Sequence, residues 1–364
     1  MPIRVLHCIH SMNRGGAETF IMNVYRKIDR SRVQFDFLLH NPEPGDYDEE
    51  IRQLGGHIYY APSRRDGIIE NRRALNRFFK EHTEFAAAHQ HLSSCSYIEP
   101  LRYAKKHGIK IRIAHSHSTK EDGSRLHELM HRLQRPALRR IATHLWACSD
   151  LSAVWTYGPH AKNKIINNGI QTDSFCYDAE KRQLFRKQYG IEDAFCIGLV
   201  GRFVPAKNHS RLLAIFDALQ KKHSQAVLML VGVGPLMDEA KKETERRELT
   251  GRVIFTGISE DIAGMMSAMD VFVMPSLFEG LPVTLVEAQA TGLPCIVSDV
   301  ITRDVALTDY IHYLPLSMAD DIWCEKILEY TKWERPEDAA LQVKRRGFDI
   351  QTTVQNLEDT YLGR

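Results

Sequence analysis

Two doubly wound α/β domains in series are the architecture this sequence predicts, and three observations carry it. Short runs rich in β-branched and aromatic residues alternate with helical stretches, the pattern of parallel strands covered by helices on both faces. The alternation occurs twice, interrupted near Gly169–Tyr177, where NNGIQTDSF reads as loop. The chain has 364 residues, 43% of them apolar and 26% charged, which is enough for two separate cores.

The elements follow in order. The first half offers the strand IRVLHCIH, a helix from about Ala17 to Ile28, the strands VQFDFLLH and HIYYAP, and a helix around Arg72–His82. A strand ending near His89–His91, a helix near Ile98–His107, and the strands IKIRIAHSH and HLWACS complete it. The second half offers AFCIGLVG, a helix over Ser210–Lys222, AVLMLVG, a helix over Met237–Glu248, VIFTG, a helix over Ile262–Ala268, DVFVMP and CIVSD. A last helical stretch, Thr352–Leu362, is expected to pack back on the first domain. The predicted divisions are residues 1–172, 173–345 and 346–364.

Cysteine usage and charge narrow the setting. Seven cysteines lie scattered, never as C-x-x-C, and their number is odd, which argues for a reducing compartment and against a structural zinc site or a disulfide framework. No leader is read before the first strand and no apolar run approaches the roughly 20 residues needed to cross a bilayer, so a cytoplasmic protein is expected. Net charge is +2, yet residues 1–176 carry 26 Lys and Arg against 18 Asp and Glu, and residues 177–364 carry 22 against 28. The cations cluster as Arg64, Arg65, Arg72, Arg73 and Arg77, as Lys105, Lys106 and Lys110, and as Arg132, Arg135, Arg139 and Arg140. A solvated surface explains them, and so does contact with the anionic inner face of the cell membrane. SRLHELMHRLQRPALRRIATHLW, residues 124–146, interleaves apolar and basic residues at helical spacing, with a new turn or kink expected at Pro136. The aromatic interleaving of a nucleic-acid platform is missing, so nucleic acid is not an expected partner.

The most informative stretch is DVFVMPSLFEGLPVTLVEAQATGLPCIVSD, residues 270–299. It sets Glu279 in a strand-to-helix loop and Glu287 eight positions later, roughly two turns on by helical periodicity, so both carboxylates can face one ligand. Backbone amides of Leu281, Val283 and Thr284, with Pro282 donating none, form a helix start able to receive a phosphate. GRFVPAKNHSRLL places Arg202 and Lys207 on one loop, where two cations can grip a diphosphate. After the first strand, Gly15 and Gly16 let the backbone approach a ligand that a Cβ would block.

GGAE, GRFVPAKNH, LVGVGP, FTG and FEGLPVTLVEA, in this order, resemble the family 4 glycosyltransferases, whose hallmark is Glu-x7-Glu. HSHST further resembles the subgroup that builds bacterial exopolysaccharide and capsule. The resemblance implies the GT-B fold, two Rossmann-like domains facing across a cleft, and transfer of a sugar from a nucleoside diphosphate donor with retention of configuration. Carried onto this chain, it gives Arg202 and Lys207 the diphosphate, Glu279 and the neighbouring Gly280 the transferred sugar, and Glu287 the ribose. Gly15 and Gly16 would lie against the diphosphate, and backbone around Val233 and Ile258 would border a base that family habit makes uracil. A histidine after IRIAH would face the sugar; His115 matches the motif position, and His117 lies two residues on along the same face. His91, with His89, is a fainter candidate for the acceptor side, a hydrogen-bonded structural role being the preferred reading.

The implied chemistry is electrostatic. Cations preorganised at the leaving diphosphate stabilise the transition state by about 3–4 kcal/mol per contact, so no metal or other cofactor is expected. A glycan or lipid-linked acceptor follows from the family and from the basic first half. The rival readings are an epimerase or hydrolase of sugar nucleotides on the same scaffold and a non-catalytic sugar-nucleotide-binding subunit. A dehydrogenase fails because no G-x-G-x-x-G follows the first strand.

Overall fold

Two all-parallel sheets, of seven and six strands, organise the chain, which divides into unit 1, Met1–Gly169 with Ile350–Arg364, and unit 2, Ile170–Asp349. The computed structural model describes residues 1–64, 67–119 and 125–364; Arg65 and Ser124, named above, lie outside them. The divisions fall three to four residues from 172/173 and 345/346. The cause is local pairing inside unit 2. The Ile170 amide donates to the Phe348 carbonyl at 2.9 Å and Thr172 Oγ1 donates to Asp349 Oδ2 at 2.7 Å, tying both passes of the chain to the same body.

Unit 1 runs β1 (Ile3–Ile9), α1 (Gly16–Lys27), β2 (Val33–Leu39), α2 (Asp48–Gln53), β3 (Ile58–Tyr60), α3 (Ile68–Glu81) and β4 (Phe85–Leu92). It continues with α4 (Glu99–Lys106), β5 (Ile111–Ser116), α5 (Arg125–Ile141), β6 (His144–Ala147), α6 (Asp150–Tyr157) and β7 (Lys164–Ile165). Strand order is β3-β2-β1-β4-β5-β6-β7, so the winding reverses between β1 and β4. Odd-numbered residues of the central strands, such as Val5, Ala87 and Ile113, pack under α1. Even-numbered ones, such as Leu6, Ala88 and Ala114, pack in a second cluster with Leu75, Phe79, Leu101 and Leu138 on the other face. Helix α5 runs through Pro136 as one segment, so no separate helix begins there.

Unit 2 runs α7 (Ala179–Tyr189), β8 (Phe195–Val200), α8 (His209–Lys222), β9 (Ala226–Val231), α9 (Met237–Arg246), β10 (Val253–Gly257) and α10 (Ile262–Ala268). Then come β11 (Val271–Met274), α11 (Val283–Ala290), β12 (Cys295–Ser298), β13 (Ile311–Leu314), α12 (Asp320–Leu328) and α13 (Ala339–Val343). The order β10-β9-β8-β11-β12-β13 reverses between β8 and β11. FCIGLV and AVLMLV are buried at every position, as strands covered on both faces must be. Asp270 pins the start of β11 to β8: its carboxylate accepts from Arg182 at 2.6 Å, Arg186 at 3.2 Å and the Cys196 amide at 2.7 Å.

Finally α14 (Ile350–Tyr361) closes unit 1. Ile350, Val354, Leu357 and Tyr361, one stripe at helical spacing, join the α1-side core, each side chain contributing about 1.5–3 kcal/mol by burial. Among the described residues no helix is long and apolar enough to cross a membrane.

Candidate functional site

In open parallel sheets ligands bind beyond the carboxyl ends of the strands where the winding reverses. In unit 2 those ends belong to β8 and β11, and their loops are stitched together. Asn208 holds a left-handed φ of 55°, which its short amide tolerates, and donates from Nδ2 to the Pro275 carbonyl at 3.0 Å. The Leu277 amide donates to the Ala206 carbonyl at 2.8 Å. Lys207 lies between, its stem against Gly201, where any Cβ would come within 3.1 Å of Lys207 Cε. Its Nζ donates to Glu279 Oε1 at 2.7 Å, and Ser276 Oγ donates to the same oxygen at 2.8 Å. Both partners of the ion pair are largely shielded, at 15% and 12% exposure.

Lys207 and Glu279 are thus brought together as the sequence predicts, but Arg202 is not. It is exposed, and among the described residues it makes no ion pair or side-chain hydrogen bond, so one cation rather than two is fixed here. The two-turn spacing of the glutamates is also corrected. Residues 279–282 are loop, so Glu287 stands only one turn into α11.

Helix α11 is buried at every position except Val283, Thr284 and Glu287, which share one face at spacings of three and four. Its N-cap, Pro282, supplies no side-chain bond to the first amides. Thr284 Oγ1 on the same face is buried without a partner. Burial pushes the Glu287 carboxyl up to about 7, so near neutrality it is balanced between acid and anion. Gly280 and Leu281 lead into this helix, Leu281 itself buried.

Two glycine-dependent contacts hold the adjoining loops. A Cβ on Gly232, whose φ is 134°, would run into the Gly201 carbonyl, and the Gly232 amide donates to the Gly257 carbonyl at 2.8 Å. The Val233 carbonyl accepts from the Phe203 amide at 3.0 Å, leaving the Val233 side chain 42% exposed, and Ile258 is 58% exposed beyond β10.

In unit 1 the reversal point is filled differently. Gly15 caps α1 and Gly16 begins it. A Cβ on Gly15 would meet the Glu18 carboxylate, whereas at Gly16 it would meet no protein atom within 4 Å, so packing within the unit does not demand glycine there. Beside this turn, five histidines share the α1 side of β1, β4 and β5: register pairs His7 with His89 and His91 with His115. His7 Nδ1 lies 3.0 Å from His91 Nε2, and His91 Nδ1 lies 2.9 Å from His117 Nε2. His89 Nε2 lies 3.1 Å from His115 Nδ1, and His89 Nδ1 lies 2.7 Å from the Tyr361 hydroxyl of α14. Burial holds His7 and His117 down at about 3 and keeps His89, His91 and His115 well below the ordinary value, so all five are uncharged at neutral pH. His115, expected to face a sugar from a strand end, lies inside β5 with no exposed surface, edge-on to Phe20 and Trp146. The strand runs on to Ser116, which buries the motif position and leaves His117 as the ring beyond the strand.

The basic surface of unit 1 is partly spoken for. Arg64 donates to the Ser96 carbonyl, Arg72 pairs with Glu99 at 3.7 Å, Arg132 pairs with Glu128 at 2.6 Å, and Arg135 and Arg139 donate to the Trp155 and Tyr157 carbonyls. Lys105 and Lys106 also donate within the unit, to the Arg140 carbonyl and Asn76. A surface groove along α3, lined by Tyr60, Ile68, Ile69, Arg73 and Arg77, is separate from every predicted site residue.

Sequence reading missed Ser276, His7 and Tyr361. Ser276 follows a strand end by two residues and His7 shares strand parity with the apolar Val5 and Ile9, so both were findable. Tyr361 contacts His89 from 272 positions away, and no local pattern signals that.

Comparison with known proteins gives the family and the fold. The profile described as Glycosyltransferase Family 4 matches residues 14–174, and that described as Glycosyl transferases group 1 matches residues 181–313. The glycosyltransferase EpsF of Bacillus subtilis is 38% identical over 98% of this chain and 96% of its own. The capsular polysaccharide biosynthesis glycosyltransferase CapH of Staphylococcus aureus is 23% identical over 100% and 99%. The crystal structure of HepE from Anabaena with UDP and glucose superposes with a TM-score of 0.80 over 100% of both chains at 18% identity, a likeness of fold.

Proposed function

The chain belongs to glycosyltransferase family 4, and from that membership we propose that it transfers a sugar from a UDP-sugar to a glycan or lipid-linked acceptor in surface polysaccharide synthesis, with retention of anomeric configuration. The observation that carries the donor site is the open face of α11, where uncapped amides, the unpartnered Thr284 hydroxyl and Glu287 stand beside the Lys207–Glu279 pair. Amides at a helix start suit the diphosphate, Glu287 suits the ribose hydroxyls, and Lys207 carries the charge that develops on the leaving group. Arg202, exposed and unpaired, is free to fold onto the same phosphates. Glu279 accepts from Lys207 and Ser276, which positions the lysine and places a carboxylate for the hydroxyls of the transferred sugar. Val233 and Ile258 border the base. HepE, crystallised with UDP and glucose, and CapH, named for capsular polysaccharide, support donor and product class.

In the proposed step the acceptor oxygen bonds to the anomeric carbon from the face that the diphosphate leaves, the bond from that carbon to the phosphate oxygen breaks, and the acceptor proton passes to that oxygen. No metal enters it, and His91 and His117 serve the acceptor side. A trapped glycosyl ester on Glu279 in the wild-type enzyme would overturn this route. The acceptor is assigned to a membrane surface on the strength of α3 and α5, where Ile68, Ile69, Leu129 and Leu133 are at least half exposed among Arg73, Arg77, Arg132 and Arg140. Flotation with anionic liposomes at low salt checks that assignment.

The deciding experiment is a thermal-shift screen of nucleoside diphosphates and sugar nucleotides in chelator. A ligand at about 100 times its Kd stabilises by about 2.7 kcal/mol. UDP and one UDP-sugar should shift the transition in wild type and not in Lys207→Ala; no response to any nucleotide would sink the reading.

A further inference from the structure

The histidines of unit 1 leave three ring nitrogens without any partner although each is buried: His7 Nε2, His115 Nε2 and His117 Nδ1. A buried polar atom left unpaired costs about 1–3 kcal/mol, and His115 Nε2, the one of the three that faces the same cluster as His91 Nδ1 and His117 Nε2, calls for a ligand that accepts its lone pair. One ring nitrogen each from His91, His115 and His117 lies within 4.8 Å of the other two, and the same holds for His7, His89 and His91.

We propose that His91, His115 and His117 form a binding site in unit 1 for one divalent transition-metal ion of the zinc class. Three imidazoles with a position left for water form a common zinc arrangement, and an all-nitrogen set selects zinc, cobalt, nickel or copper over magnesium or calcium. His91 Nδ1 and His117 Nε2, 2.9 Å apart, need open by only a few tenths of an ångström to reach the roughly 3.3 Å separation of two nitrogens in a tetrahedral zinc shell. The second triplet is the poorer site, because both nitrogens of His89 are engaged, Nδ1 by the Tyr361 hydroxyl and Nε2 by His115, while in the first triplet His115 keeps Nε2 uncommitted.

The outer partners of His115 fit the same assignment. A ligating histidine normally donates its other N–H to a fixed acceptor. With the ion on His115 Nε2, the ring proton sits on Nδ1 and donates to His89 Nε2; His89 in turn donates from Nδ1 to the Tyr361 oxygen. Each ring keeps one proton, so the relay only changes direction. Tyr361 is therefore a positioning residue for the metal. Entry is at the His117 end of the cluster, beyond the end of β5, where His117 is partly exposed.

The test uses the full chain stripped with chelator and titrated with cobalt(II), followed by its visible d–d absorption, then with zinc in competition. One equivalent of cobalt per chain should give the intense band of a low-coordinate nitrogen site, and one equivalent of zinc should bleach it. His115→Ala and His117→Gln should lose the band, Tyr361→Phe should weaken binding by about 10–100-fold, and His160→Ala, at an exposed position, should match wild type. Circular dichroism certifies each fold, and His117→Gln, at the partly exposed position, serves if His115→Ala does not fold. Wild-type protein that binds no stoichiometric cobalt, or a folded His117→Gln that binds as wild type does, overturns the site. Because the readout is cobalt absorption, its failure leaves the nucleotide screen unaffected.

Discussion

The two units share a winding pattern and differ in what they place at the point where it reverses. Unit 2 keeps a charged pair, Lys207 with Glu279, and an open helix start, held by glycine-mediated contacts between loops. Unit 1 places five uncharged histidines there, four of them buried and His117 partly exposed, and anchors the cluster to its last helix through the His89–Tyr361 bond. One scaffold thus presents a cation and an uncapped helix start in unit 2 and a group of nitrogen lone pairs in unit 1. The difference lies in a few side chains at strand ends rather than in topology.

The sharpest way to break the comparison is Lys207→Ala. It should lower kcat by about 10²–10³-fold, or about 3–4 kcal/mol, in a transfer assay. It also leaves Glu279 shielded and uncompensated, so the melting temperature should drop by a few degrees. Adding Glu279→Gln should recover stability without recovering turnover. Equal kcat in wild type and Lys207→Ala would remove unit 2's claim to the charge chemistry.

Next comes acid stability, read unit by unit by hydrogen exchange on chelator-treated protein. A histidine whose folded pKa lies below its unfolded value of 6.5 stabilises fully above 6.5 and loses that contribution as pH falls. Unit 1 has five such rings in one cluster, each worth up to about 1.4 kcal/mol per pH unit. Unit 2 holds His209 down at about 4 but Glu287 up at about 7, and a raised carboxyl loses stability as pH rises from 4.5 to 7, so the two oppose each other. Unit 1 should therefore open first between pH 6.5 and 5; parallel losses in the two units would dissolve the contrast.

Smaller effects sharpen it. Gly232→Ala forces a Cβ against the Gly201 carbonyl at a φ of 134° and should destabilise unit 2 by about 1–3 kcal/mol in urea titration. Glu287 should make nucleotide affinity depend on pH. Ribose hydroxyls favour its anion, so binding should tighten with rising pH by up to about tenfold per unit until about 7 and then level off, and Glu287→Gln should abolish the slope. The least change is expected from Gly16→Ala, which meets no protein atom and should shift stability by less than about 1 kcal/mol. Any loss of activity in that variant would therefore report on ligand approach alone.

The strands were legible because burial on both faces demands continuous apolar runs, as FCIGLV and AVLMLV show. The half-buried edge strand Ile311–Leu314 lacks such a run and was missed. Helix α7 was missed although its caps are written in the sequence: Asp178 accepts from the Lys181 amide at 2.9 Å and Gly190 closes the helix in a left-handed turn. At the candidate site, the Lys207–Glu279 meeting was legible because each residue sits just past a strand, where loops converge. The isolation of Arg202, the burial of His115 and the His89–Tyr361 bond were not, because all three depend on side-chain direction or on partners distant in sequence.

Unit 1 is interrupted by unit 2, and this sets an order of events during synthesis. Residues 350–361 leave the ribosome 180 residues after Gly169, the length of Ile170–Asp349. At about 5–20 residues per second that is a delay of about 9–36 seconds, during which the sheet face that receives Leu357 and Tyr361 is bare while unit 2 can already fold. Chains released before Ile350 would expose apolar core and histidine rings together, a combination that chaperones and proteases are suited to recognise.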